Sequence, residues 1–264
     1  MTKYRLDQLL AEKGLVRSRS QAESFIKLGQ VRVNGTILTK PGTLVSDAAD
    51  IKLHAKEQYV SRAGLKLESV AKSLKLSFKH KIVLDVGSST GGFTDFALKN
   101  GATKVYAVDV GTNQLHPTLR GNEQIELHEQ TNILEVGRLN LEAGGKKNST
   151  LHTPQSSFKF LIPEPDIVVV DVSFVSLRDL LPHISMLCGP STQVVAMCKP
   201  QFEAGNSVKH KGVIKNDKMR RDILKNFEQW VMQYFTITHK ADSEVSGAKG
   251  NTERFYLLRG LVTK

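Results

Sequence analysis

Apolar residues recur along this chain with two different periods, and the period changes near residue 81. In "RLDQLLAEKG", Leu6, Leu9 and Leu10 fall on one face at helical spacing, and Gly14 supplies a stop. In "SRSQAESFIKLGQ", Ala22, Phe25 and Ile26 repeat that spacing before Gly29. "VRVNGTIL" then alternates like a strand around Asn34-Gly35, a pair suited to a tight hairpin turn. The pattern predicts a small α+β unit over residues 1–58, two short helices followed by strands. "HAKEQYVSRAGLKL" has no clear period and carries the chain out of that unit. Residues 59–80 read as linker and a leading helix that starts near Ser61, with Leu65, Val70 and Leu74 as candidate buried positions.

From Lys81 onward, short apolar runs alternate with helical patterns, the signature of a doubly wound, Rossmann-like α/β sheet over residues 81–264. "KIVLDV", "KVYAVDV", "QIELHE", "PDIVVVDVSF" and "TQVVAMCKP" are five candidate strands in order. "RRDILKNFEQWVMQYF" puts Ile223, Leu224, Phe227, Trp230, Val231 and Tyr234 on one helical face. "TITHKAD" and "ERFYLLRGL" close the sheet as a hairpin. Between the third and fourth strands, near 137–162, lies a polar stretch rich in glycine and serine and longer than a βα connection needs. It reads as a surface insertion, passive or touching RNA through Lys146, Lys147 and Lys159.

The 264 residues, 40% of them hydrophobic, suffice for a sizeable core in one or two domains. No apolar run approaches the ~18 residues of a membrane span, and the start lacks the apolar core of a signal peptide, so the expected location is cytoplasmic. The two cysteines, Cys188 and Cys198, fit reduced core thiols better than a disulfide framework or a metal site. A net charge of +11 creates a field that gathers polyanions. Nucleic acid is the leading partner class, an anionic membrane surface the weaker one, and plain solubility the bland alternative. Arg17, Arg19, Lys27 and Arg32 are placed for a basic face on the first unit.

The loop "DVGSSTGGFTD", residues 85–95, follows the first strand of the sheet. A Walker loop needs a lysine straight after its glycines, whereas Gly91 and Gly92 lead into Phe93 and Thr94. A dinucleotide fingerprint needs G-x-G-x-x-G, and Gly87-Ser88-Ser89-Thr90-Gly91-Gly92 breaks it at the second glycine. The remaining pattern, acidic-x-Gly-x-small-x-Gly, suits S-adenosylmethionine: Asp85 for the methionine ammonium, directly or through water, and Asp109, at the next strand end, for the ribose hydroxyls. A glycine turn serving only helix–strand packing is the alternative.

Four charged residues stand at strand ends or helix starts: Lys66, Asp171, Lys199 and Glu253. Ligands of open α/β sheets bind beyond the carboxyl ends of the strands, so these four are candidates to converge there. Methyl transfer to a hydroxyl needs an acceptor oriented in line and a group to manage its proton.

"RLDQLLAEKGLVRSRSQAESFIKLGQVRVNG" resembles an S4 domain, a small RNA-binding module. With "YVSRAGLKL", "DVGSSTGGFTD", "YAVDVGTNQL", "DVSFVSL", "KPQFEAG" and "GNTERFYLL", the whole chain resembles the hemolysin-A-like (TlyA) ribosomal RNA methyltransferases, which join an S4 domain to an FtsJ-like methyltransferase fold. The resemblance implies methyl transfer from S-adenosylmethionine to the ribose 2′ oxygen of cytidine in ribosomal RNA. It implies a catalytic tetrad of Lys66, Asp171, Lys199 and Glu253, with Lys199 taking or guiding the hydroxyl proton. It implies cofactor contacts at Asp85, Gly87, Ser89, Gly91, Gly92, Asp109 and Asn132. The loop carrying Lys209, His210 and Lys211 is expected to close over an extruded nucleotide through its lysines, the histidine staying solvated. Three features depart from the family pattern: Ala63 where a glycine is expected, a short run "SGAKGNTE" before Glu253, and the insertion before Pro165. A ribosome-binding factor without turnover and a membrane-active cytolysin are the competing functions.

Overall fold

The computed structural model describes residues 3–16, 19–27, 29–53, 59–139, 158–205, 212–214, 216–245, 247 and 250–261. The first unit runs β1 (Lys3–Arg5), α1 (Leu6–Glu12), α2 (Arg19–Lys27), β2 (Val31–Val33), β3 (Thr36–Ile37), β4 (Leu44–Ser46) and β5 (Ile51–Leu53). β1 pairs with β4, and β3-β2-β5 form a three-stranded sheet. Asn34 and Gly35 both have positive φ, which a two-residue hairpin turn between β2 and β3 requires. The predicted helical faces are the buried ones: Leu6, Leu9, Leu10, Ala22, Phe25 and Ile26 form one cluster.

α3 (Arg62–Ala71) leads into the second unit, and Leu65, Val70 and Leu74 are all buried. There follow β6 (Ile82–Val86), α4 (Gly92–Lys99), β7 (Lys104–Val108), β8 (Ile125–His128), β9 (Val136–Arg138), β10 (Phe160–Ile162), β11 (Ile167–Val170), α5 (Leu177–Leu187), β12 (Gln193–Cys198), α6 (Pro200–Glu203), α7 (Asp217–Val231), β13 (Phe235–Asp242) and β14 (Arg254–Gly260). Seven strands form one sheet in the order β13-β14-β12-β11-β6-β7-β8. All are parallel except β14, which runs antiparallel to both neighbours. From β6 the chain steps outward to β7 and β8, then returns to lay β11 on the other side of β6. That reversal opens a crevice at the carboxyl ends of β6 and β11.

Strand alternation splits the core into two layers. Leu84, Val86, Val168, Val170, Val194 and Ala196 face α5 and α7. Val83, Ile167, Val169, Val195 and Met197 face α3 and α4. The helix expected over 220–235 is α7, which starts earlier, at Asp217, and ends at Val231, so Tyr234 lies past the helix and Phe235 opens β13; α7 buries Leu224, Phe227 and Val231. Cys188 and Cys198 are free thiols, and burial raises the pKa of both.

Of the stretch near 137–162, residues 140–157 lie outside the described residues, and only its ends can be set against the insertion read in the sequence. β9 and β10 at its described ends pair in parallel, with Val136 and Ile162 fully buried. Lys159, read as part of a passive solvated loop or as an RNA contact, donates to the Gln130 carbonyl at 2.7 Å and the Thr131 hydroxyl at 3.1 Å. Periodicity missed this because three-residue strands are too short to show alternation. Lys146 and Lys147 lie outside the described residues.

Candidate active site

The turn between β6 and α4 is shaped by close backbone approach. Gly87 sits at φ 81°, and a Cβ there would lie 2.7 Å from the Asp171 carbonyl oxygen. Glycine therefore lets the ends of β6 and β11 meet. Gly92 serves a second approach: a Cβ on it would lie 2.7 Å from Ala63 Cβ and 3.0 Å from Gly64 N, so the start of α4 rests directly on α3. Ala63, a departure from the family pattern, is accommodated at this contact.

A cavity of about 490 Å³ opens at the carboxyl ends of β6, β7 and β11. Of the expected cofactor residues, Gly87, Ser89, Asp109 and Asn132 line it, together with Asp171. Asp109 ties two loops together: its carboxylate accepts the Ser89 N–H at 2.8 Å and the Gly111 N–H at 2.7 Å. Glu129 braces the second loop by accepting the Asn113 and Gln114 N–H groups, and the Asn113 bond leads in holding its carboxyl below the usual range. The Asn132 side chain accepts the Leu134 N–H, capping a short turn at the cavity wall.

Asp85, Gly91 and Gly92 do not line this cavity, contrary to expectation. A Cβ on Gly91 would run into Leu119 and Leu115, and Gly92 faces α3. Asp85 is 1% exposed, and its Oδ2 accepts the Thr94 hydroxyl at 2.6 Å. Its Oδ1 has no hydrogen-bond partner among the described residues. Burial pushes this carboxyl up to about 7; Thr94 opposes the shift, while Asp171 and Asp109 add to it.

The four charged residues meet as two ion pairs. Lys66 Nζ donates to Glu253 Oε1 at 2.9 Å, and both side chains are nearly enclosed. Lys199 Nζ lies 2.6 Å from Asp171 Oδ1, off hydrogen-bonding alignment, and donates to the Ser173 hydroxyl at 2.7 Å. Register explains the convergence. Cys198 is opposite Arg254, so the next step along both strands sets Lys199 beside Glu253. Continued alternation sends Asp85, Asp171, Lys199 and Glu253 to the side of Val83, Val169, Met197 and Phe255, under α3, which carries Lys66. Burying four charges is a poor route to stability, because desolvation offsets the attraction. Their place at the crevice where open α/β sheets bind ligands makes the four the candidate catalytic group.

Sequence reasoning passed over several neighbours. Thr94 and Ser173 hold the acidic and basic groups just described, and Gln114 accepts the Ser89 hydroxyl in the cavity wall. Phe174 stands at the cavity mouth, 92% exposed, at φ 67°, with its ring 5.3 Å from that of Phe202. A phenylalanine in left-handed backbone costs ~1–3 kcal/mol and gains nothing from burial here. Its signal lay inside "DVSFVSL", but the strand-end rule points only to charges.

On the first unit, Asp7 is fully buried and holds two arginines. Arg5 donates to both of its oxygens, and Arg19 Nε donates to Oδ2 at 2.9 Å. Burial would raise the Asp7 carboxyl, but the two guanidiniums outweigh it and hold the group below the usual range. Arg19 is thereby fixed with its side chain 53% exposed. Arg32 is exposed, opposite Lys52 across the strand pair, and donates to the Gly35 carbonyl. Lys27 is half-buried in the last turn of α2. Arg17, Lys209, His210 and Lys211 lie outside the described residues. Among the described residues no group of His, Cys, Asp and Glu is arranged to hold a metal, and no helix is long and apolar enough to cross a membrane.

The profile of the FtsJ-like methyltransferases matches residues 59–260. The chain belongs to the FtsJ-like methyltransferase family. Its first unit is an S4 domain, matched over residues 5–51. Among similar FtsJ-like proteins, a candidate rRNA methyltransferase, YqxC of Bacillus subtilis, is 40% identical over 95% of this chain and 84% of the relative. The 16S/23S rRNA (cytidine-2′-O)-methyltransferase TlyA of Mycobacterium tuberculosis is 34% identical over 97% of this chain and 89% of its own. A solved structure from Streptococcus thermophilus, described as a hemolysin candidate, superimposes with a TM-score of 0.67 at 35% identity, covering 100% of this chain and 90% of that one.

Proposed function

We propose that this chain methylates the ribose 2′-hydroxyl of a cytidine in ribosomal RNA, with S-adenosylmethionine as donor. The observation that carries the reading is the pairing of Lys66 with Glu253 and of Lys199 with Asp171 on one sheet face beside the cavity. The substrate follows the TlyA relative, which the chain matches along almost its whole length.

The cavity fits the donor by its chemistry. It falls within the usual range for small-ligand sites, with apolar walls such as Val86, Val108 and Val172 and a few polar groups. Gly87, Ser89, Asp109 and Asn132 would hold the donor, Asp109 serving the ribose hydroxyls, with Asp85 supporting the turn from beneath. S-adenosylmethionine supplies an already electrophilic sulfonium methyl, so the protein's task is to orient the acceptor oxygen and manage its proton.

Lys199 is the residue for that proton. As the neutral amine, Lys199 directs one N–H to Ser173 and the other toward Asp171, leaving its lone pair to take the 2′-hydroxyl proton as the oxygen takes the methyl group. Asp171 fixes the direction of Lys199, and the Lys66–Glu253 pair fixes the sugar. The basic S4 surface around Arg19, Arg32 and Lys52 gives affinity through phosphates without choosing a base. Selection falls to RNA shape and extrusion of the target nucleotide, with Phe174 as a stacking surface at the mouth.

The test is methyl transfer from labelled S-adenosylmethionine to ribosomal subunits, with ribose methylation mapped on both large RNAs. A cytidine 2′-O-methyl made by wild type and lost in Lys199→Ala, with RNA binding retained, is the expected result. Ribosome binding without S-adenosylmethionine binding by calorimetry overturns the reading and leaves a ribosome-binding factor.

A further inference from the structure

We propose that the S4 domain is a structural part of the acceptor half of the site, and that Leu65 and Val245 are the positioning residues through which it acts. The inference rests on the methyltransferase reading above, and it goes beyond an RNA-binding role for that domain.

Leu65 and Val245 come from the catalytic unit, yet both are buried in the S4 core with Leu6, Leu9, Leu10, Phe25 and Ile26. Their neighbours on the same segments go elsewhere. Leu67 and Val70 of α3 pack under the sheet with Val83 and Met197. Lys66 therefore sits between two anchors, Leu65 in one core and Leu67 in the other.

Glu253 is held in a corresponding way by the loop joining β13 to β14. The Ser243 N–H donates to the Glu253 carbonyl at 2.9 Å, and the Ser243 hydroxyl donates to the Val245 carbonyl at 2.8 Å. Gly247 N–H donates to the Asn251 carbonyl at 2.9 Å, and a Cβ on Gly247 would lie 2.5 Å from Glu253 Oε1. The placement of Val245 is thus transmitted through a hydrogen-bonded loop that touches the Glu253 carboxylate.

Lys66 and Glu253 lie on separate segments 187 residues apart, and their 2.9 Å contact depends on both keeping register. The S4 core spans both. A module of about 50 residues is marginal in the surface it buries, and Leu65 and Val245 from its neighbour enlarge its core. Conversely, displacing the S4 domain exposes the two side chains that hold the pair in register. Among the described residues, neither α3 nor this loop contributes to the lining of the cavity that Gly87 and Asp109 line. S4 docking therefore acts on the acceptor side and leaves donor binding alone.

The experiment compares full-length wild type, Val245→Ser, Val245→Ala and Val245→Ile. At saturating RNA and S-adenosylmethionine, kcat is expected to fall about tenfold or more in Val245→Ser, as small displacements of positioned groups do. Val245→Ala carries the same test at smaller truncation should the serine variant not fold, and Val245→Ile is expected to restore the rate. The dissociation constant for S-adenosylmethionine by calorimetry stays near the wild-type value throughout. Amide exchange, which needs no turnover, rises in residues 62–71 and 250–253 of the truncated variants while β6 and β11 stay protected. Unchanged kcat and exchange in the truncated variants overturn the proposal, as does an equal loss of donor affinity. If wild type transfers no methyl group at all, the methyltransferase reading fails, while the exchange measurement still decides the coupling.

Discussion

Replacing Asp85 by asparagine is expected to stabilise the free protein increasingly as pH rises above about 4, and to leave it nearly unchanged below that. The carboxyl is 1% exposed, has one partnerless oxygen, and titrates at about 7 instead of the ordinary 3.8. Because the folded-state pKa is raised, the folded protein binds more protons than the unfolded chain between those values. Stability therefore falls as pH rises through that window and levels off above about 7. Roughly three pH units, at 1.36 kcal/mol each, amount to about 4 kcal/mol at pH 8, an upper figure for a buried group. Asparagine keeps an acceptor for Thr94 and cannot ionise, so the variant escapes this cost. Contributions from carboxylates remote from Asp85 cancel in the difference between the two proteins, while Asp171 and Asp109, which couple to it, are relieved of its charge in the variant. The assay is urea denaturation from pH 4.5 to 8.5 followed by Trp230, the chain's single tryptophan, which lies on α7 and reports on the catalytic unit alone. A stability difference that stays constant across the range would falsify the assignment of a buried, neutral Asp85.

Gly87→Ala brings a Cβ against the Asp171 carbonyl in backbone that disfavours side chains; a stability loss of at least ~1–2 kcal/mol and weakened S-adenosylmethionine binding are expected, read by denaturation and calorimetry. Phe174→Ala removes an exposed ring but keeps the Cβ that strains the backbone, so melting temperature stays near wild type while kcat/KM for RNA drops by roughly tenfold, about 1.4 kcal/mol and within the range of one lost base stack; an unchanged kcat/KM removes Phe174 from the site.

Much of the fold was legible because it rests on relations between residues close in sequence. The faces of α1 and α2, the turn at Asn34-Gly35, the five parallel strands and the closing hairpin all follow from local periods of two or 3.6 residues. The strand-end rule likewise picked out Asp171 and Lys199, since an apolar run ending in a charge marks where a buried strand meets the crevice. The same local view could not separate Asp85, Gly91 and Gly92, which lie outside the cavity lining, from the residues that line it. A glycine turn reads alike whether its small residues face a ligand or a neighbouring helix, and Gly92 faces α3.

Sequence alone determined the elements, the two-unit plan and the chemical types at the strand ends, because each is set by neighbours along the chain. Tertiary structure decided which lysine meets which carboxylate, which glycines touch the cavity, and that Leu65 and Val245 complete the core of another unit. Those outcomes depend on strand order, on register between β12 and β14, and on how α3 is divided between two cores. They are contacts between segments far apart in the chain, formed where the packing of both sides closes, and no local period carries them.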